Sequence, residues 1–454
     1  MFNSTNPATG ERIATHPEHD ADEIERRLAR AADAFVRWRA TPVAERTALV
    51  GRVADAFEAG ADALARLVTA EMGKPITAAE AEIAKCVAGF RYYAENGAAM
   101  LAPERVALDD GAWAEARWQP IGPVLAVMPW NFPVWQAVRF LAPALVAGNV
   151  PLLKHASAVQ GTAAMMEALV AKAGGPEGLF QNLAVRSDAI AAIIADERVA
   201  AVTLTGSEGA GASVAEAAGR ALKKVVLELG GSDPFVVMPS ADLDAAVKAG
   251  VTARTQNAGQ SCICAKRFIV HRDVADAFTE RLVAGMAALR IGDPTDRDVD
   301  MGPLSSEEQR QTVLDQLEQA RADGGRVVGG EALPEPGAFM KAGAILDLPA
   351  SSELWREEIF GPIALVVAAD DLNDAISRAN DTPFGLGASI WTQDAEEQDA
   401  LVAALESGMV AVNAMLASQP AAPFGGVKRS GHGRELGPWG MREFMNLKAV
   451  MHPA

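Results

Sequence analysis

Cys262 is the residue in this chain best suited to covalent chemistry. It stands in Asn257-Ala258-Gly259-Gln260-Ser261-Cys262-Ile263-Cys264, just after a glycine that punctuates a loop. The thiolate is the reactive form, and a free thiol has a pKa of about 8.5. A nucleophilic cysteine therefore needs partial exposure and stabilisation of its charge. Taken alone, the commoner fate of a cysteine is that of an inert, buried small hydrophobe. Glu228 closes an apolar run beside Gly230 and Gly231. A carboxylate at a strand end next to paired glycines suits a general base, and a structural carboxylate that binds backbone amides fits the same segment. Asn131, in Pro129-Trp130-Asn131-Phe132-Pro133, carries an amide able to donate to a developing oxyanion. A rigid aromatic-proline turn is the plainer reading of that segment. Thr205-Gly206-Ser207 and then Gly211 place glycines where a strand enters a helix, so that backbone N–H groups face a phosphate. The spacing is Gly-x4-Gly and lacks the usual dinucleotide fingerprint, so alone it is a weak signal.

These residues need a framework of strands and helices to hold them. Ile24, Leu28, Ala31, Phe35 and Trp38 recur at helical spacing, and Ala, Glu and Arg dominate to about Gly97. This predicts an N-terminal helical region. From there short apolar runs alternate with helical patterns. Strands are predicted at 121–127, 151–154, 180–183, 201–205 and 225–229, with helices at 134–147, closed by Gly148, and at 158–173. Such alternation implies βαβ units and a mostly parallel sheet that binds ligands at the carboxyl ends of its strands. A second alternating region spans 234–412, with helices predicted at 242–250, 274–289 and 307–322. Residues 106–118 read as a strand pair turning at Asp109-Asp110-Gly111, a projecting arm between helix and sheet.

Composition narrows the partners. The formal net charge is -18 over 454 residues, a surface that repels phosphate backbones, so nucleic-acid binding is not expected. The most apolar stretch, 140–153, falls short of the roughly 18–20 residues of a membrane span and contains Asn149 and two prolines. No membrane partner is expected. The first twenty residues are polar, which predicts no secretory signal. The cysteines, Cys86, Cys262 and Cys264, form no disulfide framework and fit a reducing, cytoplasmic compartment. No metal-ligand cluster is legible; His155 and Cys86 read as packing residues.

Taken together and in this order, the segments resemble the aldehyde dehydrogenase superfamily. The likeness runs from Asn6-Pro7-Ala8-Thr9-Gly10 to Pro423-Phe424-Gly425-Gly426-Val427-Lys428-Arg429-Ser430-Gly431, nearly the whole chain. The resemblance implies an α/β fold with a Rossmann-type cofactor domain (1–102 and 119–229), an α/β catalytic domain (230–415) and a small β oligomerisation arm (103–118 and 430–454). It implies Cys262 as nucleophile, Asn131 with the Cys262 amide as oxyanion hole, and Glu228 as the base that hydrolyses a thioester. Glu358 and Phe360, in Glu357-Glu358-Ile359-Phe360-Gly361-Pro362, match residues that hold the nicotinamide ribose and ring. Trp130, Lys154, Gly206, Ser207 and Gly211 match other cofactor contacts.

Within that family the chain is most similar to the short bacterial succinate-semialdehyde dehydrogenases, in Pro129–Phe140, Leu152–Ser157 and Glu228–Phe235. The likeness implies Arg139 and Ser418 as partners of the far carboxylate of a small aldehyde. Many such enzymes have a second arginine where this chain has Gln256, which predicts weaker carboxylate recognition. Another aldehyde (glutarate semialdehyde, an aliphatic or an aromatic one) is the alternative, and a non-catalytic homologue a remoter one. Ser157 stands where NAD-preferring relatives carry a glutamate; a hydroxyl in place of that charge favours a 2′-phosphate, so NADP is expected, with NAD accepted. Cys264, in a Cys-x-Cys spacing, is a redox-switch candidate, because strained disulfides are easily reduced. The arm and the C-terminal segment imply a homodimer or homotetramer.

Overall fold

The computed structural model describes residues 1–334 and 336–454. Four sheets organise them. A six-stranded sheet orders its strands Gly431–His432, Lys224–Glu228, Ala201–Thr205, Pro123–Met128, Val150–His155 and Gln181–Asn182. All neighbours are parallel except the Gly431–His432 edge. Chain order reverses between Pro123–Met128 and Ala201–Thr205, the position at which an open α/β sheet forms a ligand crevice. Both strands are fully or almost fully buried, as near-continuous apolar runs in a parallel sheet should be.

A seven-stranded sheet takes Arg326–Gly329, Gly343–Leu346, Ile363–Ala369, Ala265–His271, Asp233–Val237, Gly387–Trp391 and Met409–Val412 in spatial order. Only the Arg326–Gly329 edge is antiparallel. The arm is a three-stranded antiparallel sheet in which Trp113–Pro120 lies between Glu104–Ala107 and Met445–His452. The Asp-Gly signal is its turn: Asp110 and Gly111 have φ of 57° and 82°, the left-handed region that such turns demand. A two-stranded pair, Phe2–Thr5 with Arg12–His16, completes the sheets. The predicted boundaries need one revision. Gly431–His432 closes the six-stranded sheet, so the segment after residue 430 serves that sheet as well as the arm.

The N-terminal region is helical, as its composition predicts: Ala21–Trp38, Val43–Ala59, Ala61–Met72 and Ile76–Met100. Two of these helices deliver buried carboxylates to the N-termini of others. Glu71 accepts from the amides of Gly161 and Thr162 at 2.9 Å, at the start of Gln160–Lys172. Glu82 accepts from the amides of Val134 and Trp135, both at 2.9 Å, at the start of Trp135–Ala147. Carboxylates there satisfy amides with no intrahelical partner and meet the positive end of the helix dipole. All thirteen residues of Trp135–Ala147 are buried, and the helix ends at Gly148 with φ of 93°. Apolar burial of this kind is worth about 1.5–3 kcal/mol per large side chain.

Lys74 is ion-paired with Glu82, and both side chains are almost completely buried. Burial holds the Lys74 ammonium below its ordinary pKa, while the Glu82 carboxylate pulls it back up. Removing one member of a buried pair strands the other charge. Glu82→Ala should therefore destabilise the fold by about 3–5 kcal/mol, read as a lowered urea midpoint. A midpoint equal to that of wild type would show the helix start does not depend on this carboxylate.

Candidate active site

The carboxyl ends of the parallel strands collect the motifs on one edge. Pro123–Met128 runs into Trp130 and Asn131, Val150–His155 ends with Lys154 and then reaches Ser157, Ala201–Thr205 leads to Gly206 and Ser207, and Lys224–Glu228 ends on Glu228 itself. Cys262 arrives from the other sheet, on the turn that precedes Ala265–His271. The two approach closely. A Cβ added at Gly231 would lie 2.9 Å from the Cys262 carbonyl oxygen, and one at Gly230 would lie 2.5 Å from Glu358 Oε2. The paired glycines make room for the Cys262 backbone on one side and the Glu358 carboxylate on the other.

The chain enters the Cys262 turn through Asn257, Ala258 and Gly259, with φ of 55°, 53° and 74°. Two consecutive non-glycine residues in the left-handed region store strain, which local contacts must offset. Asn257 Nδ2 donates to the Asn131 carbonyl at 2.8 Å and to the Gln260 carbonyl at 3.1 Å. Gly259 is packed so tightly that a Cβ would fall 2.2 Å from the Gly361 carbonyl oxygen. Beyond the turn, Lys266 Nζ donates to the carbonyls of Ser261 at 3.0 Å and Cys262 at 2.8 Å, and lies 3.0 Å from Glu358 Oε1.

Cys262 is partly exposed on the wall of a cavity of about 260 Å³, which Arg139, Gln256 and Ser418 also line. Burial pushes its thiol up to about 12, against the pull of Arg139 and Lys266. A larger groove of about 540 Å³ between Asn6–Thr9 and Ile291–Thr295 holds no cysteine.

Asn131 and Glu228 are buried beside the cavity and not in its wall. Asn131 Nδ2 uses one proton on the Gln260 carbonyl at 3.1 Å, leaving its second to donate elsewhere. Among the described residues Glu228 has neither carboxylate oxygen hydrogen-bonded. It faces Gly425, where an added Cβ would lie 2.6 Å from its Oε1. Burial and the Glu435 carboxylate push its pKa well above the ordinary carboxylate range, opposed by Arg139 and Arg434. To reach an adduct on Cys262 its side chain must turn into the cavity.

Arg139 lines the Cys262 cavity and is also tied into the protein. It is buried, its Nε is ion-paired with Glu435, its Nη2 donates to Thr205 Oγ1 at 3.0 Å, and its guanidinium lies 4.6 Å from the Phe424 ring centroid. Its charge is balanced inside the protein before any substrate arrives. Cys264 is buried and its thiol points to the Gln256 carbonyl at 3.9 Å, while Cys262 faces the cavity; both are free thiols. Pairing them would require the 261–264 turn to rearrange. His155 Nε2 donates to the Pro133 carbonyl at 2.7 Å while Nδ1 accepts from the Ala156 amide at 3.0 Å, and burial pushes the ring down to about 4, which makes it a neutral structural bridge.

Sequence reasoning missed Glu82, Lys85, Lys266 and Glu435. Glu82 and Lys85 sit in an Ala-rich helical stretch where a Glu and a Lys three apart read as an exposed pair. Lys266, four residues after Cys262, carried a usable signal, since an ammonium that close to a thiol stabilises negative charge.

The residues along the crevice fit a dinucleotide. Trp130 and Phe360 face each other edge-on at 5.8 Å between ring centroids. Gly206 is free of contact closer than 3.5 Å at its Cβ position, and Ser207 caps the helix Glu208–Arg220. Gly211 fits close against the Leu229 side chain, which a Cβ would strike at 2.6 Å. Lys154 is partly buried, with burial lowering its pKa, and Ser157, three residues on, is exposed.

Comparison with known proteins agrees with this geometry. The family model described as the aldehyde dehydrogenase family matches residues 1–450. Succinate-semialdehyde dehydrogenase [NADP(+)] 1 of Mycobacterium tuberculosis is 53% identical over 448 residues, covering 98% of each chain. Its counterpart from Mycobacterium leprae is 50% identical over 448 residues with the same coverage. The crystal structure of succinic semialdehyde dehydrogenase from Streptococcus pyogenes, in complex with NADP+, superimposes with a TM-score of 0.98 at 37% identity over the full length of both chains. With a cysteine on the shared crevice and this likeness from end to end, the chain belongs to the aldehyde dehydrogenase family.

Proposed function

We propose that this enzyme oxidises succinate semialdehyde to succinate with NADP, NAD serving as a second cofactor. The observation that carries the reading is a small cavity that places the Cys262 thiol in one wall with basic side chains and the Ser418 hydroxyl. The names of the relatives at 50% identity and above point to the same substrate and cofactor.

The chemistry that a nicotinamide dinucleotide supplies when bound is hydride acceptance. Trp130, Glu358 and Phe360 would hold its nicotinamide end, Gly206, Ser207 and Gly211 its phosphates, and Lys154 with Ser157 its adenosine ribose. Lys154 is ion-paired with no carboxylate among the described residues, and Ser157 adds an exposed hydroxyl. A cation and a hydroxyl without a competing negative charge suit a 2′-phosphate.

The protein's own residues divide the work. Cys262 adds its sulfur to the aldehyde carbon as a thiolate, and its proton leaves to solvent. The Cys262 amide and the second Asn131 proton receive the oxyanion. Once hydride has left, Cys262 carries the acyl group as a thioester. Glu228, turned inward, takes a proton from water, whose oxygen attacks that carbonyl and expels the sulfur. A carboxylate raised by burial is a stronger base when ionised than an exposed one. Cys264, buried behind the turn, would act as a redox switch only by displacing it. The arm exposes Val106, Leu447 and Met451 on its two edge strands and Leu108 just beyond one of them. Such a surface suits a second copy of the chain.

The direct test is nicotinamide reduction with succinate semialdehyde against butanal, each with NADP and with NAD. A strong preference for the semialdehyde with NADP is expected; equal rates with both aldehydes would remove the carboxylate-bearing substrate. Asn131→Ala should lower turnover by roughly two to three decades, the usual effect of losing one oxyanion donor; an unchanged kcat would refute that role. Glu228→Gln should release a burst of reduced nicotinamide and then stall as thioester. In wild type, turnover should fall as pH drops through a pKa above the ordinary glutamate range, because the base must be ionised, and Glu228→Gln should lose that limb. Light scattering should find a dimer or tetramer that Met451→Asp weakens; a monomeric wild type would rule out the arm's bridging role.

A further inference from the structure

The strand Ala265–His271 follows Cys262 and carries two buried cations in succession, Lys266 and Arg267. Adjacent side chains of a strand point to opposite faces, so the two serve different ends. Arg267 ties the strand to its surroundings, donating to the carbonyls of Ser232 at 2.8 Å, Arg378 at 2.8 Å and Ala379 at 2.7 Å. Lys266 turns back on the nucleophile. Its ammonium has three protons and three acceptors: the Ser261 carbonyl at 3.0 Å, the Cys262 carbonyl at 2.8 Å and Glu358 Oε1 at 3.0 Å. An apolar side chain would fill a buried strand position without the cost of desolvating an ammonium. What the lysine adds is direction and charge.

The Ser261–Cys262 peptide is a rigid plane whose carbonyl and amide point in opposite directions. Its carbonyl accepts twice, from Lys266 and from the Cys264 amide at 3.2 Å, which closes the turn. Fixing that oxygen aims the Cys262 N–H. Lys266 also holds the next carbonyl, so the backbone is fixed on both sides of the sulfur. Glu358 Oε1 is taken by Lys266 and by the Gly231 amide at 3.3 Å, which leaves Oε2 as the oxygen available to a ribose hydroxyl. We infer that Lys266 is a positioning residue for both halves of the reaction: it aims the Cys262 amide at the oxyanion, and it orients the carboxylate that holds the nicotinamide ribose. The inference rests on the thioester reading of Cys262 and adds the residue that sets its geometry.

The same ammonium acts on the thiol. Arg139 and Lys266 favour the Cys262 thiolate, and Glu358 and Asp233 oppose it. Lys266 and Glu358 therefore pull on the sulfur in opposite directions, and removing either shifts its ionisation with a defined sign.

The experiment uses the full-length enzyme and Lys266→Met, which keeps a long side chain and removes its protons. With succinate semialdehyde and NADP, kcat should fall by about 10- to 100-fold, part of the roughly 10²–10³-fold that one oxyanion donor supplies, while the KM for the aldehyde changes little. NADP binding without substrate, followed by quenching of tryptophan fluorescence, should weaken by about tenfold, the order of one charge-assisted hydrogen bond. Alkylation of Cys262 by iodoacetamide, without cofactor, should titrate at higher pH than in wild type, and in Glu358→Gln at lower pH. A general loosening of the fold does not produce opposite shifts. If Lys266→Met does not fold, Lys266→Gln, which keeps two donors, takes its place: the NADP and alkylation changes should persist because the charge is gone, and kcat should fall less. Wild-type NADP affinity or a wild-type alkylation midpoint in the folded variant would overturn the joint role. A slow Asn131→Ala beside a Lys266→Met of wild-type kcat would overturn Lys266 alone. An Asn131→Ala of wild-type kcat would overturn the oxyanion reading and the part of Lys266 in it.

Discussion

The active-site region hangs on one buried carboxylate. Glu82, on an N-terminal helix, takes the first amides of Trp135–Ala147 and pairs with Lys74. That helix then carries Trp135, which meets Ser418, and Arg139, which meets Glu435 and Thr205. Lys74 stands 3.8 Å from the centroid of the Phe132 ring, next to Asn131. The entry to the helix, the turn that bears Asn131 and one wall of the cavity are thus tied to a single ionic cluster. A charge so deeply buried is tolerated only when its lone pairs are satisfied, and here two amides and an ammonium do so. The arrangement leaves little freedom in where the helix begins.

Opposite this rigid wall stands a strained turn. Asn257 and Ala258 occupy the left-handed region, held by hydrogen bonds to Asn131 and Gln260 and by the contact between Gly259 and Gly361. Lys266 then pins the carbonyls on either side of the nucleophile's peptide bond. With the backbone fixed so firmly, the Cys262 amide is oriented before any substrate arrives, which is where oxyanion stabilisation gains its strength. Glu228 is the contrasting part. It is buried, its oxygens have no hydrogen-bond partner among the described residues, and it sits away from the cavity wall, so it must turn inward to reach an adduct on Cys262.

Electrostatics divide the site into matched and unmatched charge. Carboxylates match Lys74, Arg139 and Lys266. Lys85 on the substrate side and Lys154 on the crevice side have no such match among the described residues, and burial weakens both ammonium ions. In a protein of net charge -18, local cations of this kind draw anionic groups to chosen points while the surface as a whole repels them.

Much of this could be read from the residues in order. Alternating apolar runs and helical patterns specify parallel α/β sheets because the periods of strand and helix differ, and the predicted strand at 201–205 and helix at 307–322 coincide with those observed. The motif order Asn131, Thr205-Gly206-Ser207, Glu228, Cys262 was enough to identify the family, since each segment is local. Asp110-Gly111 declared its turn for the same reason. What the sequence could not reveal is pairing between residues far apart along the chain. Arg139 is met by Glu435, nearly three hundred positions later, and Lys85 by Ser418, also far along the chain. Side-chain chemistry and local backbone preference are written in the sequence; which charges remain free after folding depends on long-range contacts, and those were decided only when the two sheets and the N-terminal helices packed together.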